Sequence, residues 1–150
     1  MKKEYQNIVS DKARDAYLSL MRTRLVLYNL KESKMKDYNI TPEQAAIIAF
    51  VCEQKNPVNP SQVANYLFRK PNTISTHLNS LLKKGFITLR GDEINRTKVQ
   101  IFLTDKGKKI CIDSVSDDFY KQAFSVLSEK ELEQLINYLD KVFKYNTQIQ

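Results

Sequence analysis

Asn72, Thr73, Ser75, Thr76 and Asn79 are short side chains that both donate and accept hydrogen bonds, and their spacing places them on one side of a helix. Amide and hydroxyl groups presented in this way match the donors and acceptors on base edges in a DNA major groove. Arg69 and Lys70 precede them, Lys83 follows, and Arg90, Arg96 and Lys98 lie further on, as cations suited to phosphate neutralisation. A solvated helix face is normally rich in charge, yet no residue from Asn72 to Ser80 is charged. Between Lys55 and Lys98 there are eight Lys/Arg against two Asp/Glu, so this stretch supplies six of the chain's formal seven net positive charges. The pattern predicts a sequence-specific binder of double-stranded DNA. A winged-helix module that binds only protein is the alternative, but it would have no need of charge concentrated there.

Other chemistries find little support. His77 is the only histidine, which leaves no catalytic triad, no paired general base and no zinc cage, so neither an enzyme nor a metal or cofactor site is expected. The two cysteines, Cys52 and Cys111, form no CxxC pair and fall in apolar helical patterns, Ile47-Ile48-Ala49-Phe50-Val51-Cys52 and Ile110-Cys111-Ile112. They are expected to be buried, reduced thiols with a structural role, with a redox-sensing thiol as the alternative.

The elements that must position the polar helix can be read from the surrounding residues. At 150 residues, 42% of them hydrophobic, the chain is expected to form one domain, mainly α with a small β wing. Only three glycines occur, and all four prolines lie between Pro42 and Pro71, so long helices are predicted to flank a compact middle. An amphipathic helix is expected from about Val9 to Lys31. Thr41-Pro42-Glu43-Gln44 is a capping box for a second helix reaching about Gln54, and Pro60 can open a third that ends near Phe68. Arg69-Lys70-Pro71 makes a turn into the fourth, the candidate reading helix, whose Ile74, Leu78, Leu81 and Leu82 form the inward stripe and which Gly85 ends. Ile87 and Leu89, then Val99, Ile101 and Leu103, alternate as two strands around a charged tip carrying Arg96. A fifth helix is predicted from Thr104 through about Val126, and Ser128-Glu129-Lys130-Glu131 caps a sixth. The order is that of a winged helix-turn-helix over about 40–104, with long flanking helices over about 9–32 and 105–147.

Those flanking helices carry more apolar surface than one small core requires. Tyr17, Leu20, Phe119, Leu132, Leu135, Leu139 and Phe143 are therefore the candidate interface of a homodimer, which would also match the two-fold symmetry of a pseudo-palindromic site. No apolar run reaches the roughly 18 residues of a membrane span and the first residues lack a signal-peptide core, so a cytoplasmic protein without membrane contact is expected.

Taken together, Ile40-Thr41-Pro42-Glu43-Gln44, Val63-Ala64-Asn65-Tyr66-Leu67, Asn72-Thr73-Ile74-Ser75, Leu81-Leu82-Lys83-Lys84-Gly85-Phe86-Ile87 and Leu103-Thr104-Asp105-Lys106-Gly107 resemble the MarR family of bacterial transcription regulators over nearly the whole chain. The resemblance implies a homodimer held by the first, fifth and sixth helices, two winged lobes, and sensing of a ligand or oxidant near the junction of body and lobe. It implies most readily a repressor released by a small aromatic effector. Two departures stand out. Asn95-Arg96-Thr97 occupies the wing position where the family often has Asp-x-Arg. Leu67-Phe68-Arg69-Lys70-Pro71 replaces the usual Gly and small apolar residue of the turn, and resembles a subgroup with an aromatic-Arg-x-Pro turn.

Overall fold

The computed structural model describes residues 11–91, 99–116 and 119–148. The chain divides into two compact units, residues 1–116 and 117–150. In the first, helix α1 (Lys12–Met35) starts where the Asp11 side chain accepts from Ala13 N–H at 2.9 Å. It continues into a 3-10 turn over Lys36–Tyr38, closed by Asn39 in the left-handed conformation, φ 54°, which asparagine tolerates better than most residues. Sequence periodicity gave no sign of this turn.

Helix α2 (Pro42–Glu53) begins with the expected capping box. Thr41 Oγ1 accepts from Gln44 N–H at 3.2 Å, while Gln44 Oε1 accepts from Thr41 N–H at 3.3 Å. A second box, Asn59 with Gln62, starts helix α3 (Pro60–Leu67) and was not anticipated. Helix α4 (Pro71–Lys83) opens at Pro71, which was expected to belong to the turn, because the fixed φ of proline suits the first helical position. Strands β1 (Ile87–Arg90) and β2 (Gln100–Leu103) pair antiparallel, with Ile87 opposite Leu103 and Arg90 opposite Gln100. Val58 adds an isolated bridge on the far side of Ile101, whose N–H donates to the Val58 carbonyl at 2.8 Å. Helix α5 (Asp105–Ser116) follows directly.

Ile47, Ile48, Val63, Ile74, Leu81, Ile87, Ile101 and Ile110 are fully buried, so α2, α3, α4, both strands and α5 all contribute to one core. The stripe foreseen on α4 is the face that enters it, except that Leu82 remains exposed.

The second unit contains helix α6 (Phe119–Phe124) and helix α7 (Glu129–Thr147). The predicted fifth helix thus corresponds to α5 and α6, with residues 117 and 118 between them outside the described part. At α7, Ser128 Oγ accepts from Glu131 N–H at 3.4 Å, and Glu131 Oε2 accepts in return from Ser128 N–H at 2.9 Å. The hydrogen bonds from Ser128 hold the Glu131 carboxyl below the usual glutamate range. No helix among the described residues is long and apolar enough to cross a membrane.

Candidate nucleic-acid interface

Helices α3 and α4 form the helix-turn-helix. At the end of α3, Arg69 N–H donates to Ala64 C=O at 3.0 Å and Phe68 N–H to Asn65 C=O at 3.3 Å. This paired arrangement demands a left-handed residue, and Phe68 takes it at φ 51°, where glycine would be the unstrained choice. The same motif ends α4. There Phe86 N–H reaches Leu81 C=O and Gly85 N–H reaches Leu82 C=O, each at 3.0 Å, with Gly85 as the left-handed residue at φ 74°. The lengths of both helices and the angle of the turn between them are therefore fixed by local hydrogen bonding.

Because Ile74, Leu78 and Leu81 anchor α4 in the core, its opposite face is left to solvent. Asn72, Thr73, Thr76, Asn79 and Lys83 are exposed, while Ser75 and His77 are half-buried. Thr76 Oγ1 donates to the Asn72 carbonyl at 3.0 Å, which leaves its lone pairs as acceptors. Lys70 precedes α4 without a side-chain cap, so the first-turn N–H groups of a helix about 20 Å long have no side chain satisfying them. Such an end favours anions.

Arg69 and Lys70 are exposed at one end of α4 and Lys83 at the other, with Arg90 exposed at the end of β1. The Arg90 guanidinium lies over the Phe102 ring, 4.8 Å from its centroid, a contact that restrains the side chain. Ser75, Asn79 and Arg90 share a groove of about 400 Å³ between α4 and the hairpin. The structure thus gathers every described member of the predicted reading surface around α4. Arg96 and Lys98, the expected wing-tip cations, and the Asn95-Arg96-Thr97 segment lie outside the described residues.

Three further features shape this region. Glu43, in the first turn of α2, accepts from the Tyr28 hydroxyl at 2.9 Å and lies 3.8 Å from the Arg69 guanidinium, so α1 and the helix-turn-helix turn meet at one carboxylate. Burial pushes the Tyr28 hydroxyl above its ordinary pKa, with the hydrogen bond to Glu43 acting in the same direction. Nothing in the spacing of these residues signals the meeting.

The second is a junction below the wing. Thr104 Oγ1 donates to the Gly85 carbonyl at 2.7 Å and accepts from Gly107 N–H at 3.1 Å. Lys106 Nζ donates to the Lys84 carbonyl at 2.9 Å, and Lys84 Nζ donates to the Asn39 carbonyl and the Gln44 amide oxygen. A Cβ at position 107 would overlap the Phe86 carbonyl, so glycine there permits the close approach of α5 to β1. The run Thr104-Asp105-Lys106-Gly107 did carry a signal in the sequence, and this is its physical content.

The third corrects the sequence reading of the cysteines. Cys52 and Cys111 are joined in a disulfide, with Cα atoms 6.6 Å apart and 59 residues between them in sequence. Cys111 is buried as expected, but Cys52 is exposed, and the pair is joined rather than reduced. The reason is the packing of α2 against α5, which no local pattern reports. Close by, the Tyr38 hydroxyl donates to Asp113 at 2.7 Å, and this bond raises the tyrosine pKa.

Of the candidate interface residues, Tyr17 and Leu20 on α1 and Leu139 and Phe143 on α7 are exposed, Leu132 and Leu135 are half-buried, and Phe119 is buried in the single chain.

No protein-family model matches the chain. No curated protein matches it either. Solved structures do. The S. aureus MepR–DNA complex is 26% identical with a TM-score of 0.74, and the match covers 87% of this chain and 96% of that one. A MarR transcriptional regulator from Methanosarcina mazei Go1 is 19% identical with a TM-score of 0.78, covering 91% and 99%. CouR from Rhodococcus jostii RHA1, bound to p-coumaroyl-CoA, is 18% identical with a TM-score of 0.77, covering 89% and 94%. The Methanosarcina protein is a MarR transcriptional regulator, and the chain has a MarR-like winged-helix fold.

Proposed function

We propose that this chain is a MarR-type transcription regulator that binds DNA sequence-specifically as a homodimer and acts as a repressor on a pseudo-palindromic operator. The observation that carries the reading is the exposed face of α4, where Asn72, Thr73, Thr76 and Asn79 stand without charge between Arg69 and Lys70 at one end and Lys83 at the other. Uncharged groups read base edges while the flanking cations hold phosphates and set the register. Arg96 and Lys98, in the sequence between β1 and β2, are proposed as further phosphate contacts. The likeness to MepR, whose structure is a DNA complex, supports the same face as the contact.

The homodimer is supported by exposed apolar side chains. Tyr17, Leu20, Leu25, Val26 and Leu30 lie exposed on α1, as do Ile136, Leu139, Val142 and Phe143 on α7. A monomer seldom leaves this much apolar surface in water. Two-fold symmetry then presents two α4 helices to half-sites about one helical turn apart. Likeness to CouR, whose structure is bound to p-coumaroyl-CoA, supports control by a small aromatic effector that favours one spacing of the two reading helices over the other. A redox response at Cys52 and Cys111 is a second reading, favoured by their disulfide. A non-enzymatic role is part of the proposal, supported by the likeness to transcriptional regulators. Selection of bound fragments from genomic DNA tests the proposal, with enrichment of one pseudo-palindromic motif as the expected result.

A further inference from the structure

Beside the disulfide lies a second groove of about 620 Å³, which shares Arg90 with the groove beside α4. It runs between the C-terminal end of α2, the loop after it, the hairpin and the start of α5. Val58 and Ile101 contribute apolar floor, and Lys55, Arg90 and Lys108 supply three cations; no Asp or Glu is among the described residues lining it. Lys108 pairs with Asp105 at 3.4 Å, but both side chains are largely exposed, and such pairs hold little energy in water. Cys52 is itself part of the wall and is exposed, whereas Cys111 is 5% exposed. The groove therefore brings a concentration of positive charge to one sulfur of a disulfide and withholds the other.

We propose that this groove is a docking and modification site for anionic low-molecular-weight thiols, which exchange with the Cys52–Cys111 bridge at Cys52. The thiolate sulfur attacks Cys52 Sγ in line with the bridge. A new sulfur–sulfur bond forms between the small thiol and Cys52 as the Cys52–Cys111 bond breaks; its electron pair leaves on Cys111 Sγ, which takes a proton. One disulfide is exchanged for another, so no external oxidant or reductant is consumed. Accessibility selects the sulfur attacked, and the cations select the thiol by attracting its carboxylates and raising its local concentration. Release from the bridge frees the end of α2 from α5, two elements otherwise joined by packing in the core. Arg90 lines both this groove and the one beside α4, but the test substitutes Lys55 and Lys108 and does not depend on DNA binding.

The test uses the oxidised full chain with three thiols: glutathione (anionic), 2-mercaptoethanol (neutral) and cysteamine (cationic). Acid-quenched samples are analysed by intact mass and peptide mapping. Glutathione is expected to give an adduct on Cys52, and Lys55→Glu with Lys108→Glu is expected to slow it about tenfold, leave 2-mercaptoethanol unchanged and speed cysteamine. In the wild type, added salt should slow glutathione alone, a readout that holds even if the charge-reversed protein fails to fold. Absence of an adduct, an adduct on Cys111, or equal responses of glutathione and 2-mercaptoethanol to substitution and salt would each overturn the proposal.

Discussion

The Tyr28 hydroxyl donates to Glu43 at 2.9 Å, tying the middle of α1 to the first turn of α2. The other carboxylate oxygen of Glu43 faces Arg69 at 3.8 Å, so one side chain lies between the proposed dimer helix and the turn that aims α4. These two polar contacts join α1 to the turn in addition to Met35, which α1 contributes to the core.

Loss of this link should be visible in stability and in its pH dependence. Tyr28→Phe is expected to cost about 0.5–1 kcal/mol at neutral pH, since a half-buried bond is partly screened by solvent. The folded-state pKa values of Tyr28 and Tyr38 both lie above the ordinary value, by burial and by the bond to Asp113 respectively. Their contribution is therefore complete below about pH 10 and is lost as pH rises through the raised values. Urea denaturation of the wild type should show a falling midpoint above that pH, and a Tyr28→Phe, Tyr38→Phe variant a flatter profile.

At the junction of wing and α5, Gly107→Ala should be destabilising by about 1–3 kcal/mol, because the added methyl must displace the Phe86 carbonyl. Gly85→Ala has open space around it and should cost only the strain of its positive φ, about 1 kcal/mol. Thermal denaturation of the two variants ranks them. A smaller loss at position 107 than at 85 would mean that α5 does not approach β1 so closely.

On α7, Leu139 is exposed in the single chain, so Leu139→Asp would be innocuous in a monomer. In the proposed dimer it buries an unpaired charge at the interface and costs several kcal/mol of association. Sedimentation should give a folded monomer for the variant and a dimer for the wild type. Equal dimer populations would place the interface elsewhere.

Where structure follows from local chemistry, the sequence was legible. The Thr41 and Ser128 capping boxes, the Gly85 stop and the inward stripe of α4 each depend on residues within one or two turns, and each lies where its pattern required. The polar face of α4 follows from that stripe. What was hidden depends on contacts distant in sequence: Tyr28 with Glu43, Val58 with Ile101, and Cys52 with Cys111, separated by 59 residues. Phe68 shows a further limit, because an aromatic residue in a left-handed position contradicts its own propensity and is held there by the two helices it joins.

The central claim is that α4 reads sequence while the cations around it read only phosphate, and binding by the wild type, Asn79→Ala and Lys83→Ala to a randomised duplex library across a range of salt tests it most directly. Asn79→Ala is expected to alter preference at one or two positions of the half-site by about 1–3 kcal/mol with little change in salt slope. Lys83→Ala should weaken all sequences alike and reduce the salt slope by about one unit. A wild-type protein that enriches no motif, or an Asn79→Ala variant that keeps the wild-type preference at every position while Lys83→Ala leaves the slope unchanged, would contradict it.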